Sequence, residues 1–343
     1  VFTTGLISRT NILLVLQILS RFREQLAGWG ISPEQTRVIA TRAIRESKNP
    51  DPIIDQILIK TGFKVIIFDG IEENRLMYLA VTNKIKELSR KNVDDDAIIL
   101  EVGGGSTEMM LIKKGKMAGA HSLKIGTIRI AQSLSLSQAN ASDIRRYIQQ
   151  FIFNTKGSLN DELELSTVKQ FYSVGGEPRI AAQTYGKKIS DGIWEISRKE
   201  FEKFVREIQT YSPEEIVAKY NIEYSEAQQF FIGLSIYEMF IQLTNIENII
   251  VLQTNIRDGA IISSIAEPSS ELLKEFNSQI SASALSLLNK YHGDVEHALY
   301  VTNLSLDIFD ALRDEIGLDD HHRMLLEVAG ILHDIGMFIR MEE

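Results

Sequence analysis

The fold is decided by one stretch of the chain, Ala97-Ile-Ile-Leu-Glu-Val-Gly-Gly-Gly-Ser-Thr-Glu-Met-Met-Leu-Ile112, which is followed at once by Lys113-Lys-Gly-Lys116. Apolar runs on either side of three glycines predict two strands joined by a tight turn. The turn is not a P-loop, because the Lys-Ser/Thr ending is missing and a strand, not a helix, follows; the dinucleotide-binding fingerprint fails for the same reason. The stretch therefore predicts a β-hairpin with a glycine turn.

The glycine turn has the composition of a phosphate-binding loop. Gly103, Gly104 and Gly105 let the backbone come close to a phosphate and aim N–H groups at its oxygens, and Ser106 and Thr107 add hydroxyl donors. The flanking carboxylates are those of Glu101 and Glu108. They could hold Mg²⁺ directly or through water, since Mg²⁺ takes hard oxygen ligands. A plain tight bend is the alternative. Glu101 favours a functional loop, because a carboxylate at the end of an apolar strand needs a partner.

Further from the hairpin, strands and helices alternate. Apolar spacing predicts helices over 12–26, 51–61, 71–88, 142–153 and 225–243 and strands over 37–40, 64–68, 171–174 and 248–252. From about residue 267 the pattern is helical throughout. The mixed order predicts an α/β fold up to about residue 265 and a separate α-helical domain after it.

Composition narrows the class of protein. The 343 residues are 44% hydrophobic and 24% charged, which predicts a folded chain of two or three domains. Cysteine is absent. This excludes disulfide scaffolds, thiol nucleophiles and zinc sites built on cysteine, and it fits a reducing, cytoplasmic compartment. The net charge of −9 argues against DNA binding. The apolar stretch 12–16 is too short to be an integral membrane segment.

Four other groups carry possible chemistry, each with an ordinary alternative. Glu73 lies at the start of a helix, where acidic residues commonly interact favourably with the helix dipole. The alternative is that it activates a water molecule as general base. Arg42 and Arg45 follow a strand and suit bidentate phosphate binding, although spacing alone favours a solvated pair. Gly175-Gly176 ends another strand, where an ordinary turn is the alternative to a second phosphate loop.

The fourth group lies in the helical tail and consists of His297 and the adjacent pair His333-Asp334. Imidazole and carboxylate side chains on neighbouring helices can hold a divalent metal. With three candidate ligands and no fourth, ordinary polar residues on a helix pair are the competing interpretation.

Together these motifs resemble the family of exopolyphosphatases and guanosine pentaphosphate phosphohydrolases, the Ppx/GppA family. The glycine loop alone also occurs in the wider actin-like ATPase superfamily, but the joint order of the segments is specific. The resemblance covers nearly the whole chain and rests on Thr41-x-x-x-Arg45, Asp69-Gly-x-Glu-Glu73-x-Arg75-Leu, Glu101-x-Gly-Gly-Gly-Ser-Thr-Glu108, Ser173-Val-Gly-Gly176 and Ile256-Arg-Asp-Gly259.

The resemblance implies two actin-like (ribonuclease H-like) lobes with a cleft between them, lobe I over 1–80 and lobe II over 81–266. It implies catalytic roles for Glu73, as the base that deprotonates the attacking water, and for Glu101 and Glu108, which would organise Mg²⁺. The phosphate would be bound by Arg45, Gly103, Gly104, Gly105, Ser106, Thr107, Gly175 and Gly176. The family also implies a homodimer.

The tail, 267–343, resembles an incomplete HD-type helical domain, with His297, His333 and Asp334 matching that domain's metal ligands. Three departures from the family stand out. The chain lacks the family's first phosphate loop, so we expect a truncated lobe I. Glu101 replaces the family's aspartate, and Glu177-Pro178 follows Gly176, where small residues are common.

The leading hypothesis is an exopolyphosphatase: Mg²⁺-dependent hydrolysis of the terminal phosphate of inorganic polyphosphate, with Glu73 as general base. The first alternative is a guanosine pentaphosphate 5'-phosphohydrolase. A second is a non-catalytic sensor of polyphosphate or guanosine tetraphosphate. A third, an actin-like kinase or ATPase, is disfavoured by the Glu73 match and the helical tail.

Overall fold

A computed structural model describes residues 5–68, 70–86, 95–114, 116–134, 140–162, 164–265 and 293–337, with single residues at 277, 280, 281, 284, 285, 287, 288 and 291. The strands are β1 (Val38–Ala40), β2 (Val65–Ile67), β3 (Ala97–Val102), β4 (Thr107–Lys113), β5 (Lys116–Leu123), β6 (Gln170–Val174), β7 (Lys187–Ser190), β8 (Ile193–Ser197) and β9 (Asn248–Leu252).

The helices are α1 (Arg9–Gly28), α2 (Arg42–Arg45), α3 (Pro50–Thr61), α4 (Gly70–Lys86), α5 (Thr127–Ser133), α6 (Ala141–Glu162), α7 (Gly176–Tyr185), α8 (Arg198–Ile208), α9 (Pro213–Tyr220), α10 (Tyr224–Gln242), α11 (Ile256–Ile265), α12 (Val295–Ile316) and α13 (Asp320–Leu332). Within the ranges just given, no helix combines the length and the apolar character needed to cross a bilayer. The α/β fold predicted up to about residue 265 is confirmed.

The larger sheet has seven strands in the order β5-β4-β3-β6-β9-β8-β7. Strands β3, β6 and β9 are parallel, and the outer strands run antiparallel to their neighbours. β3 and β4 form the predicted hairpin, in which Glu101 lies opposite Glu108. Because the carboxyl ends of parallel strands meet at one edge of the sheet, the loops after β3 and β6 lie side by side there.

Helices cover both faces of this sheet. On one face, α10 contributes the fully buried Tyr237 and Phe240. On the other face, α4 contributes Met77, Tyr78 and Val81. β3 is therefore apolar on both faces, as expected for a strand between two layers. Burying one large apolar side chain stabilises the fold by about 1.5–3 kcal/mol.

A smaller unit precedes this sheet. Strands β1 and β2 pair in parallel, and α1 and α3 pack on them through a core that includes Leu16, Ile57 and Phe63. Ser8 caps α1: its hydroxyl accepts a hydrogen bond from the Asn11 amide at 3.3 Å. This unit carries α2, and with it the two arginines of the sequence analysis.

Helix α4 joins the two units. One side faces the seven-stranded sheet, and Leu76 and Leu79 on the other side pack with Phe68 of the smaller unit. Helix α11 packs against α4 so closely that a Cβ on Gly259 would lie 1.9 Å from the Leu76 carbonyl oxygen. Gly259 is thus required by packing. The proposed lobe boundary at residue 80 falls within α4 and stays a prediction.

The described part of the tail contains α12 and α13. They share a small core with Ala284 and Leu288, and Gly330 of α13 lies against Thr302 of α12. A Cβ at residue 330 would lie 2.7 Å from the Thr302 hydroxyl oxygen, so glycine permits the close approach. The helical tail is as predicted, whereas its assignment as an HD-type domain stays a prediction.

Candidate active site

The glycine loop after β3 is closed by its own backbone. The Gly103 amide donates to the Ser106 carbonyl at 2.8 Å. The carbonyls of Gly103 and Gly104 accept hydrogen bonds of 3.0 and 2.8 Å from the first amides of α5. Three amides are left without an acceptor among the described residues, those of Gly104, Gly105 and Ser106. Successive free amides form a concavity that binds anions.

Gly126, at the start of α5, holds the loop in this shape. A Cβ on Gly126 would lie 2.6 Å from the Ser106 amide nitrogen and 2.7 Å from the carbonyl oxygens of Gly103 and Gly104. These are backbone atoms, so no larger residue fits without moving the loop. The sequence analysis missed Gly126; its signal is a glycine between the end of a strand and the start of a helix.

Glu101 and Glu108 lie opposite each other in the β3–β4 hairpin. Opposite residues of antiparallel strands project from the same face, so both carboxylates lie on one side of the hairpin. Glu108 accepts hydrogen bonds from the hydroxyls of Ser106 at 2.7 Å and Ser122 at 2.8 Å. The predicted pairing of the two carboxylates at the loop is therefore present in the geometry.

The surroundings of Glu101 disfavour its negative charge. Burial, and after it the nearby carboxylates of Glu108, Glu73 and Glu177, raise the pKa of Glu101 to about 7. Each like charge costs free energy that grows as the local dielectric falls. A group of this kind gains from a bound cation.

Glu73 lies in the first turn of α4 and is half-buried. It forms an ion pair with Arg45, which also donates to the Phe68 carbonyl. Burial raises the pKa of Glu73, although the hydrogen bond from Arg45 acts in the opposite direction. Arg45 therefore fixes the position of Glu73, and it does so with the guanidinium predicted to bind phosphate.

Arg42, one turn before Arg45, reaches the other side of the site. Its Nη1 donates to the Ser122 hydroxyl at 2.7 Å and lies 3.8 Å from a Glu108 oxygen. Its Nε lies 2.9 Å from Glu46. Arg42 thus connects the smaller unit to the β4–β5 hairpin.

These groups surround a cleft with a volume of about 380 Å³. Its lining brings most of the predicted site residues together: Glu73, Glu101, Gly103, Gly104, Gly105, Ser106 and Glu108, with Arg42. Four predicted phosphate-binding residues, all within the described ranges, are not in the lining: Arg45, Thr107, Gly175 and Gly176. Thr107 is fully buried, and its hydroxyl donates to the Ile125 carbonyl at 2.8 Å.

The second glycine pair begins α7. Gly175 has φ +147°, and a Cβ there would lie 2.7 Å from the Tyr237 hydroxyl oxygen, so this position favours glycine on both counts. Gly176 is exposed. Burial raises the pKa of the neighbouring Glu177 to about 7. The pair thus follows its strand as predicted, and it starts a helix.

The cleft lies within the part of the chain that matches a known family. Residues 1–267 match the model of the Ppx/GppA phosphatase family. The chain belongs to this family. The resemblance inferred from the five motifs is therefore confirmed.

Individual members of the Ppx/GppA family are distant in sequence. A guanosine-5'-triphosphate,3'-diphosphate pyrophosphatase of Photobacterium profundum is 23% identical over 95% of this chain. The match covers 62% of that relative, so the chain spans about three-fifths of its length.

Solved Ppx/GppA structures share the fold. An exopolyphosphatase of Cytophaga hutchinsonii matches with a TM-score of 0.66 at 18% identity, over 77% of this chain and 84% of that one. The Aquifex aeolicus family member matches with a TM-score of 0.59 at 19% identity, over 78% and 86%. The chain therefore shares the α/β fold of these structures, and the division into actin-like lobes I and II stays a prediction.

The tail beyond the family match holds a second polar cluster. Asp334 lies 3.5 Å from His297 Nε2 and 3.2 Å from His333 Nε2, and one ligand atom of each residue lies within 4.8 Å of the others. His333 Nδ1 lies 2.7 Å from the Gly330 carbonyl. That contact favours the tautomer with the proton on Nδ1, which leaves Nε2 free to bind a metal. The three predicted ligands are therefore together on the exposed surface, and metal binding there stays a prediction.

Proposed function

We propose that this chain carries the site of a Mg²⁺-dependent hydrolase that removes the terminal phosphate of inorganic polyphosphate. The observation that carries the proposal is the cleft itself, where free loop amides and the Glu73 carboxylate line one cavity. A terminal phosphate on the loop would lie within the same cavity as the base. Phosphoryl transfer depends mainly on such positioning and on charge neutralisation.

The free amides of Gly104, Gly105 and Ser106 would hold the terminal phosphate through hydrogen bonds to its oxygens. Backbone amides fixed in this way stabilise the charge that develops during reaction, at no cost of reorganisation. The Gly126 contact and the hydrogen bonds to the start of α5 keep the amides in place. Arg42 adds positive charge in the cleft lining.

Glu73 would act as general base. It would take a proton from a water molecule as the water oxygen forms a bond to the terminal phosphorus. The bond from that phosphorus to the bridging oxygen then breaks, and the electron pair leaves with the shortened chain. Burial raises the pKa of Glu73, which makes the carboxylate a better proton acceptor. Arg45 would keep it oriented.

Glu101 and Glu108 fit a site for Mg²⁺. Their carboxylates lie opposite each other beside the loop, they offer the hard oxygen ligands that Mg²⁺ prefers, and the like charges around Glu101 would be relieved by a cation. Mg²⁺, when bound, supplies neutralisation of phosphate charge. The two carboxylates would orient it through direct or water-mediated contacts.

Guanosine pentaphosphate is a second candidate substrate, because it also ends in a phosphoanhydride. It is favoured by the name of the Photobacterium profundum relative, which matches 95% of this chain. A homodimer and a cytoplasmic location are further proposals that rest on the family.

The proposal is tested by phosphate release from long-chain polyphosphate and from guanosine pentaphosphate, with and without Mg²⁺. We expect Mg²⁺-dependent release by the wild type and a loss of about a hundredfold or more in Glu73→Gln, since a general base contributes about 10²–10⁴-fold. Glu72→Gln is the matched control. Glu72 precedes Glu73 on the same helix, pairs with Arg75 at 2.6 Å and lies outside the cleft lining, so full activity is expected.

Three results would count against the proposal. Full activity in Glu73→Gln would exclude Glu73 as the base. If the wild type binds polyphosphate but releases no phosphate, the sensor hypothesis would be favoured over hydrolysis. If it transfers phosphate from ATP to an acceptor, a kinase would be favoured.

A further inference from the structure

We propose that Tyr237 is a positioning residue: its hydroxyl separates the ends of strands β3 and β6 and thereby sets the distance between the two glycine loops. The inference deepens the proposed function, on which its catalytic consequence rests. It rests on three observations at one atom, the phenolic oxygen of a side chain that no sequence motif identifies.

The first observation is a bridge between the two strands. The Tyr237 hydroxyl accepts a hydrogen bond from the Val102 amide at 3.0 Å and donates one to the Val174 carbonyl. Val102 immediately precedes Gly103 of the first loop, and Val174 immediately precedes Gly175 of the second. One oxygen atom is therefore bonded to the last residue of each strand before its loop.

The second observation is where the strand pairing stops. The parallel register of β3 and β6 runs from Ala97 opposite Gln170 to Glu101 opposite Val174, and then ends. An amide of one strand and a carbonyl of the next would ordinarily share a direct hydrogen bond. Beyond this pair, the Val102 amide and the Val174 carbonyl share the phenolic oxygen as a hydrogen-bond partner. A hydroxyl in this position would take the place of the next interstrand bond and hold the strand ends apart.

The third observation is that the second loop is shaped around the same atom. Gly175 has φ +147°, and its backbone comes so near that a Cβ would lie 2.7 Å from the Tyr237 hydroxyl oxygen. Tyr237 itself is fully buried in the core beneath the sheet, so the phenol ring has a fixed position. A rigid side chain between two strand ends would define the width of the crevice there, and crevices at the carboxyl ends of strands bind ligands in open α/β sheets.

Removal of the hydroxyl should therefore change the spacing of the loops. In Tyr237→Phe we expect the Val102 amide and the Val174 carbonyl to approach and form a direct hydrogen bond of about 3 Å. The first loop, which lines the cleft, would then be misplaced relative to a bound phosphate. Because a displacement of about 1 Å in an active site can cost a hundredfold in rate, we expect kcat/KM to fall about ten- to a hundredfold.

Tyr185→Phe is the matched control. The Tyr185 hydroxyl donates to Glu207 at 2.6 Å on the α7–α8 face and lies outside the cleft lining. This variant also loses one phenolic hydrogen bond, so a general effect of destabilisation would appear in both. Both variants are measured at a temperature where circular dichroism shows each to be fully folded. We expect Tyr185→Phe to keep kcat/KM within about twofold, as for a residue away from the site.

The first readout is a crystal structure of the ligand-free Tyr237→Phe protein, since it needs no substrate. An unchanged separation of the Val102 nitrogen and the Val174 oxygen, with or without a water in the gap, would overturn the inference. A changed separation with kcat/KM equal to that of the wild type would overturn its catalytic part. If the wild type hydrolyses neither substrate, the proposed function fails, and the crystallographic readout still decides the role of Tyr237. Should Tyr237→Phe not fold, Gly175→Ala displaces the same hydroxyl from the other side, and the same separation is measured.

Discussion

Glu101, near the end of β3, and Glu207, on α8, are carboxylates whose surroundings are opposite in kind. Glu207, on α8, accepts hydrogen bonds from Lys219 at 2.7 Å and from the hydroxyls of Tyr185 and Tyr211 at 2.6 Å each. These donors, Lys219 first, lower the pKa of Glu207 to about 2. Its charge is fully compensated by the protein.

Glu101 has no such compensation. No described side chain or amide donates a hydrogen bond to its carboxylate, and burial together with Glu108, Glu73 and Glu177 raises its pKa to about 7. Uncompensated charge costs folding free energy, so a fold keeps it only where something else completes the group. Glu101 therefore lacks a partner that the proposed Mg²⁺ would supply, whereas Glu207 already has its partners within the protein.

The largest expected effect comes from neutralising each carboxylate. Glu101→Gln should lower phosphate release about a hundredfold or more, because a proposed ligand of the Mg²⁺ that neutralises the reacting phosphate is lost. It should also raise the free energy of unfolding near pH 8 by about 1–2 kcal/mol, since a repelled buried charge is removed. Glu207→Gln should do the reverse: activity is kept and the free energy of unfolding falls.

Phosphate-release assays and urea unfolding of both variants make this test. If the two substitutions change stability in the same direction, the contrast between the two carboxylates is wrong.

The dependence of stability on pH should differ at the two sites as well. The pKa of Glu101 is raised in the folded protein, so the folded state binds an extra proton between about pH 4.5 and 7, and the free energy of unfolding falls as pH rises through that window. The pKa of Glu207 is lowered, so its stabilisation is present above about pH 4.5 and is lost as pH falls towards 2.

Urea unfolding at about pH 5 and about pH 8 measures the first of these effects. Between pH 5 and pH 8 the free energy of unfolding should fall by up to about 3 kcal/mol more in wild type than in Glu101→Gln, since each pKa unit corresponds to about 1.4 kcal/mol. Glu207→Gln should follow the wild type in this range. Parallel behaviour of wild type and Glu101→Gln would show that Glu101 does not titrate there.

The smallest expected effect is stabilisation by Mg²⁺ alone. A cation that binds only the folded protein raises the free energy of unfolding by about 1.4 kcal/mol at roughly ten times its Kd. Thermal unfolding with increasing Mg²⁺ should show this rise in wild type and in Glu207→Gln, and not in Glu101→Gln. An equal rise in all three proteins would mean that Mg²⁺ binds elsewhere.

The parts of the fold that depend on local pattern could be predicted from the sequence. The hairpin around Gly103 follows from apolar runs that are interrupted by glycine, and α1 follows from helical spacing with a Ser8 cap. The capped helix over Arg198–Ile208 and the strand pair of Lys187–Ser190 with Ile193–Ser197 were not predicted. These strands are four and five residues long, too short for a clear period.

The candidate site also contains residues that local sequence pattern could predict and residues that it could not. The loop, Glu101 and Glu108 are consecutive in the sequence, so one motif predicted them together. Gly126 and Tyr237 act on the loop from positions close only in space, and a lone glycine or a tyrosine in an apolar helix has no distinctive pattern. Arg42 and Arg45 lie on the same short helix and project from it in different directions. Their spacing in the sequence could not predict which of the two lines the cleft.

The contact of α11 with α4 has a consequence for mutational tolerance. Gly259 is more than 180 positions along the chain from Glu73, yet it lies against the backbone of Leu76, one helical turn after Glu73. Any side chain at 259 would have to displace α4, which carries the Glu73 carboxylate. Substitution at this position would therefore disturb the candidate site as well as the packing of the two helices, although residue 259 lies far from Glu73 in the sequence.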